Sequence, residues 1–202
     1  MEARTEGIIF AYRLIEEIDR LILRVPWTNE EVDRLFAKRS GNIIIKEGNT
    51  FFMNPCLDLS LASMAKIKEK EIECALAIEE HEKTREFPFN RLHFAVEFTD
   101  PTGKYYINYH SGNIAKVGRG EYDGRKDIRQ VKFVRFPGSK IRSDRPLHTN
   151  LGYESIEKAL KSIFPGFNLE TQIERLKADN TPENYNNYQK RFGGSLNVDI
   201  IN

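Results

Sequence analysis

Three residues of this chain have types and spacing that suit joint chemistry: Cys56, His93 and Asn108. Cys56 stands in "NPCLDLSLASMAK", residues 54–66, behind an Asn-Pro pair and ahead of an apolar run. Asn54 suits a helix N-cap and Pro55 a first helical position, because the N–H that proline lacks has no partner there. The thiol then falls in the first turn, where unpaired N–H groups and the helix dipole favour negative charge and lower a thiol pKa. Thiol catalysis at neutral pH also needs an imidazole to share the proton and a third group to orient that imidazole. His93 stands on the polar side of the apolar alternation "RLHFAVEF", and Asn108 follows 15 residues later across the Asp100-to-Gly103 turn. Asp100 and His110 are reserve candidates for the third position. The Cys56 backbone N–H is a natural oxyanion donor, and the Asn54 side chain is the candidate for a second. The competing reading of Cys56 is a small apolar side chain in a core, the commonest fate of a free cysteine.

The elements that position these residues follow from periodicity. Ile8, Tyr12, Ile15, Ile18 and Ile22 recur at three- and four-residue steps, which predicts an amphipathic helix over roughly residues 4–24. Thr28 three residues before Glu31 is a capping-box signature, followed by Val32, Leu35 and Phe36 on one face. "GNIIIKEGN" reads as a short strand or an extended connection. The Cys56 helix buries Leu57, Leu61, Met64 and Ala65. Beyond Lys70 the period becomes two: Ile72, Cys74, Leu76 and Ile78 form one face of a strand, then Leu92, Phe94, Val96 and Phe98 form one face of the next. "DPTG" turns into "KYYINYH", and "IRQVKFVRF" reads as a further strand. "YESIEKALKSIF", "NLETQIERLK" and "TPENYNNYQKRF" read as helices.

Two registers compete across the Asp100 hairpin. A type I turn with a glycine bulge pairs Asp100 with Lys104 and places Asn108 opposite Val96, on the apolar face. The side-chain pattern prefers His93 opposite Asn108, with Tyr105, Ile107 and Tyr109 buried beside the apolar set. A one-residue slip inverts every side chain, so burial is the stronger guide.

With this order of elements the chain resembles the transglutaminase-like superfamily, whose layout is a cysteine opening a helix, a histidine in a strand and an Asp or Asn in the next. The spacings here are 37 and 15 residues, and the likeness covers roughly residues 45–112. The resemblance implies a papain-like core with a Cys56–His93–Asn108 triad. Asn54 and Pro55 stand where that superfamily commonly has a glycine. No Arg-Gly-Gly precedes the cysteine, which weighs against acetyl-coenzyme A as donor.

Composition sets the remaining bounds. The chain has 202 residues, 31 Lys and Arg against 30 Asp and Glu, and two cysteines. Its bulk charge names no partner, and two thiols make neither a disulfide framework nor a zinc site. Cys74 alternates with Ile72 and Leu76 and reads as core. His81 in "EEHEK" reads as solvated, and no metal site is expected from His110 or His148. The first helix is broken by Glu16, Glu17, Asp19 and Arg20 and cannot span a bilayer. A cytoplasmic protein without cofactor or membrane is expected. Residues 116–145 carry ten basic against four acidic residues. Arg129, Lys132 and Arg135 are the candidates for binding an anionic partner there, nucleic acid included; a solvated face is the plainer reading.

The expected fold is α+β. A three- to five-stranded antiparallel sheet packs on the Cys56 helix within a core over 1–150, and a helical segment, 151–202, packs on that core. The expected function is acyl transfer or hydrolysis of a peptide, protein or small amide. The alternative is a non-catalytic relative binding nucleic acid or protein through residues 116–145.

Overall fold

The computed structural model describes residues 6–110, 113–125, 129–138 and 156–201. The chain is α+β and begins with α1, Glu6–Leu21, whose Ala11, Leu14, Ile15 and Ile18 are buried. Strand β1, Leu23–Val25, follows, and α2, Asn29–Leu35, starts at the reciprocal Thr28–Glu31 capping box that the spacing predicts. "GNIIIKE" is not extended but helical, as α3, Gly41–Glu47. Local chemistry explains this: Ser40 caps the first turn through the Ile43 N–H, and Gly48 ends the last at φ 67°, a left-handed cap that glycine adopts without strain. Strand β2, Asn49–Phe51, then pairs in parallel with β1.

Helix α4, Cys56–Glu69, is buried over most of its length. It packs on α3 at one side and on the main sheet at the other. The α3 approach is close: a Cβ at Gly41 would stand 2.1 Å from the Leu61 carbonyl oxygen. Inside the first turn of α4, Asp58 Oδ2 accepts from Arg39 at 2.5 Å and from Thr50 Oγ1 at 2.9 Å. A buried ion pair with a further hydrogen bond satisfies the carboxylate and ties the helix start to the segment before α3 and to β2.

The main sheet comprises β3 Glu73–His81, β4 Arg91–Asp100, β5 Gly103–His110, β6 Ile114–Arg119, β7 Gln130–Pro137 and β8 Asn197–Ile201. Its order is β7-β3-β4-β5-β6-β8. Among the described residues the sheet has six strands and is mixed, every pair antiparallel except β6 with β8, where three to five antiparallel strands were expected. Two strands escape the alternation test. β6 carries Gly118, where a Cβ would meet the Tyr106 hydroxyl at 2.3 Å. β8 half-buries only Val198 and Ile200. The segment after residue 150 is therefore not purely helical. It holds α5 Ile156–Ile163, α6 Leu169–Asp179 and α7 Pro182–Phe192, and then returns a strand to the core sheet.

The period-two segments sort as the sequence dictates. Cys74, Leu76 and Ile78, Phe94, Val96 and Phe98, and Tyr105, Ile107 and Tyr109 are all buried in the main core. At roughly 1.5–3 kcal/mol per fully buried large apolar side chain, this face fixes which way each strand turns. The opposite face is polar yet also covered: Ala77, Ala95 and Tyr122 form a small second cluster with Tyr106 and Phe133 against it. The structure thus buries Glu79, His81, His93, Glu97 and Asn108 on the second face. His81, expected to be solvated, is 3% exposed.

No helix among the described residues is long and apolar enough to cross a membrane.

Candidate active site

Cys56 is the first residue of α4, and Pro55 precedes it in helical conformation. The Pro55 carbonyl accepts the first intrahelical bond, from Leu59 N–H at 2.9 Å. Asn54 does not cap the helix; its Oδ1 accepts the Cys56 thiol proton instead, at 3.2 Å. The expected lowering of the thiol pKa does not occur. Burial pushes Cys56 up to about 12, against the Phe94, Leu57 and Cys56 backbone N–H groups that draw it down, and the Asp58 charge adds to the rise. The helix start is present, but desolvation and a carboxylate two residues on outweigh it. Cys74, near the start of β3, is raised to about 11 by burial.

His93 and Asn108 come together. His93 Nε2 lies 2.6 Å from Asn108 Oδ1. The register that achieves this is neither expected one: Ala95 faces Asn108 and Asp100 faces Gly103. It lies two residues from the pairing that the side chains favour. The faces are therefore preserved, and His93 reaches Asn108 diagonally, as same-face neighbours on adjacent strands can. The turn decides the shift. Asp100 Oδ1 accepts from Thr102 N at 2.7 Å and Gly103 N at 3.1 Å, closing a two-residue loop, while Gly103 takes φ 145°. Asp100 is thus committed to the turn at the far end of the hairpin and does not serve His93.

The Asn108 amide is oriented by its other side. Its Nδ2 donates to Tyr122 Oη at 3.3 Å and faces His110 Nε2 at 3.0 Å. The Tyr122 hydroxyl in turn donates to Glu79 Oε1 at 3.0 Å. With Nδ2 so occupied, Oδ1 is the acceptor for His93 Nε2–H, which leaves the His93 Nδ1 lone pair as the ring's base. His110, the other reserve candidate, supports Asn108 rather than replacing it. Burial holds His93 below the usual imidazole pKa, and the Arg125 and His81 charges add to this; the Asn108 bond and the Glu79 charge oppose them.

Glu79 is the residue that reading the sequence missed. It is fully buried and faces His93 directly across β3 and β4. Burial alone would raise its carboxyl. The His81 ring, the His93 charge and the Arg125 backbone N–H together hold it below the usual carboxylate range. His81 Nε2 lies 3.1 Å from Glu79 Oε1, close enough for charge attraction but too oblique for a hydrogen bond. The available signal was parity: Glu79 occupies the same strand face as His93, but a glutamate there reads as solvent-exposed until Tyr122 is known to cover it.

Cys56 and His93 open onto one cleft of about 290 Å³, which Asn54, His81, Arg91 and Arg125 also line. The thiol hydrogen bond goes to Asn54 and not to the imidazole. Among the described residues, no group of three or more His, Cys, Asp or Glu side chains is placed to hold a metal ion.

The three basic candidates have partners within the chain. Arg129 Nε pairs with Glu82 at 2.6 Å, Lys132 Nζ donates to the Ile163 carbonyl at 2.6 Å, and Arg135 Nε pairs with Glu97 at 2.7 Å. Lys132 and Arg135 tie β7 to its surroundings and Arg129 stands just before it, so these three charges are engaged within the chain. Lys126, Lys140, Arg142, Arg145 and His148 lie outside the described residues.

No family model, curated protein or solved structure matches this chain.

Proposed function

We propose that this chain is a cysteine-dependent enzyme of the transglutaminase-like kind that cleaves or transfers the acyl group of an amide, with Cys56, His93 and Asn108 as its triad. The observation that carries the reading is the buried His93–Asn108 bond, held in one amide orientation, with His93 lining the same cleft as a helix-start thiol. The resting pair is neutral, because burial disfavours both the thiolate and the imidazolium. The proton therefore moves as the sulfur attacks. Cys56 Sγ bonds to the carbonyl carbon while His93 Nδ1 takes the thiol proton. The imidazolium formed is supported by Asn108 Oδ1 and the nearby Glu79 charge. The oxyanion faces the Cys56 backbone N–H, and the Asn54 amide can turn its Nδ2 toward it once the thiol proton has left. The carbon–nitrogen bond then breaks, and the amine departs with the His93 proton. Water, or an acceptor amine, then attacks the thioester carbon and gives a proton to His93. The carbon–sulfur bond breaks, the acid or new amide leaves, and His93 passes that proton to the sulfur. The substrate is a peptide, protein or small amide, and these steps use no cofactor. The protein is proposed to act in the cytoplasm.

Alkylation by iodoacetamide at neutral pH, read by mass spectrometry, tests this. By thiol acidity alone Cys56 would react no faster than Cys74, since its pKa is the higher of the two. Faster labelling of Cys56, slowed by His93→Ala, requires a working base beside it. Equal, slow labelling of both thiols would leave a non-catalytic module with this fold, acting through binding alone.

A further inference from the structure

The cleft walls carry information about the acyl group that the triad does not. Arg91 lies on β4 two residues before His93, so both side chains leave the same face of the strand, roughly 7 Å apart along it. Its guanidinium stacks over the Phe87 ring at 3.7 Å. The Arg91 Nε is buried and has no hydrogen-bond partner. No carboxylate among the described residues forms an ion pair with it. Arg125 lines the same cleft, near enough that the two positive charges oppose one another. The third arginine on the wall, Arg175, is neutralised by Asp179 at 2.8 Å. Gln172 lines the same cleft, and its buried Oε1 also lacks a partner.

Arg91 is thus a half-buried cation beside a nucleophile, touched directly by no carboxylate among the described residues. Only the more distant Glu86 charge offsets burial and the Arg125 charge, an unfavourable arrangement in an empty cleft. An anion beside Arg91 gives it the direct partner it lacks, and Arg presents a planar fork that suits a carboxylate in bidentate geometry. The unpartnered Gln172 oxygen is placed to accept an N–H from the same ligand. We infer that the cleft takes an amide substrate carrying a carboxylate close to the reacting carbonyl, with Arg91 as the group that holds it. This rests on the proposed reactivity of Cys56. It adds that the substrate is anionic and that Arg91 determines the selection.

Iodoacetate and iodoacetamide form the same sulfur–carbon bond and expel the same iodide, and differ in one negative charge. The ratio of their rates at Cys56, divided by the ratio for glutathione, isolates the effect of the cleft on that charge. The expected value is about tenfold in favour of iodoacetate, the scale of one charge-assisted hydrogen bond in a half-open site. Arg91→Gln should return it to near unity, and Arg91→Lys should keep part of it. A ratio equal to that of glutathione, or one unchanged in Arg91→Gln, overturns the inference. A second measurement needs no reaction: glutarate should raise the Tm of the wild type, and glutaramide at matched ionic strength should not. Loss of the glutarate shift in Arg91→Gln supports the anion site even where Cys56 proves inert, and then only the catalytic reading falls. A shift with inorganic phosphate but not with glutarate would overturn the carboxylate assignment.

Discussion

Replacing Asn108 by alanine tests whether this residue orients a catalytic base or merely fills space. The change removes the acceptor 2.6 Å from His93 Nε2 and the donor that meets Tyr122 and His110. These losses are unequal. His93 is 9% exposed and Asn108 3%, so the Nε2–H becomes an orphaned buried donor, costing about 1–3 kcal/mol. Tyr122 keeps Glu79 as its acceptor, and half-buried His110 can turn to water, so these two add about 0.5 kcal/mol each. The total is about 2–4 kcal/mol, which for a chain of this size is a fall in Tm of roughly 5–15 °C. A purely structural asparagine would show the same loss. The discriminating readout is the pH profile of Cys56 alkylation. The Asn108 bond raises the His93 pKa against burial, so its loss lowers that pKa further. The acid limb of the profile should then move to lower pH, and the plateau rate should drop by about tenfold, part of the general-base contribution. Asn108→Asp, which retains an acceptor, should recover rate more than stability. A variant with reduced Tm but an unchanged profile and plateau would refute the triad.

The thiols give a linkage prediction at alkaline pH. Both are raised above the ordinary 9.0, so the unfolded chain loses these protons before the folded one does. Their stabilisation is complete below pH 9 and is lost as pH rises toward about 11 and 12. Denaturant unfolding at pH 8 and pH 10.5 should show a loss of about 1–2 kcal/mol per thiol that the Cys56→Ser, Cys74→Ser double variant lacks; parallel curves for the two proteins would contradict the burial of the thiols. Gly41→Ala drives a Cβ into the Leu61 carbonyl. It should destabilise by about 1–3 kcal/mol and loosen the seat of α4, so unchanged Tm and unchanged Cys56 alkylation would count against the α3–α4 packing. Because Arg129, Lys132 and Arg135 are engaged within the chain, DNA or RNA binding at low salt should be weak and vanish at physiological ionic strength. Tight binding that survives salt and collapses when all three are changed to Gln would reverse that conclusion.

Strand parity was legible residue by residue. Alternation alone separated Cys74, Leu76 and Ile78 from Glu79, and Phe94 and Val96 from His93, because a strand has a period of two and burial selects one face. The Thr28 cap and the start of α4 within one residue of Cys56 were equally local matters. Local signals also had limits. The isoleucine run in "GNIIIKEGN" satisfies a strand as well as a helix, and only the Ser40 cap with the left-handed Gly48 resolves it. Strand β8 buries too little of its own surface to declare itself, and β6 offers only Ala115 and Val117 as a short apolar alternation; pairing with a neighbour makes them strands.

The sequence by itself determined which residue types could serve as nucleophile, base and orienting group, and that His93 and Asn108 share a sheet face. Only the tertiary structure decided what surrounds them. It covered the second face with Tyr122 and Phe133, converting a nominally solvated Glu79 and His81 into buried partners of His93. It placed the thiol in so dry a site that its pKa rises where the helix start alone would lower it. It also turned the basic residues of β7 toward carboxylates and a carbonyl within the chain, and left Arg91 facing the cleft. Burial and charge pairing depend on residues distant in the chain, and periodicity along one segment carries no information about what will pack over it.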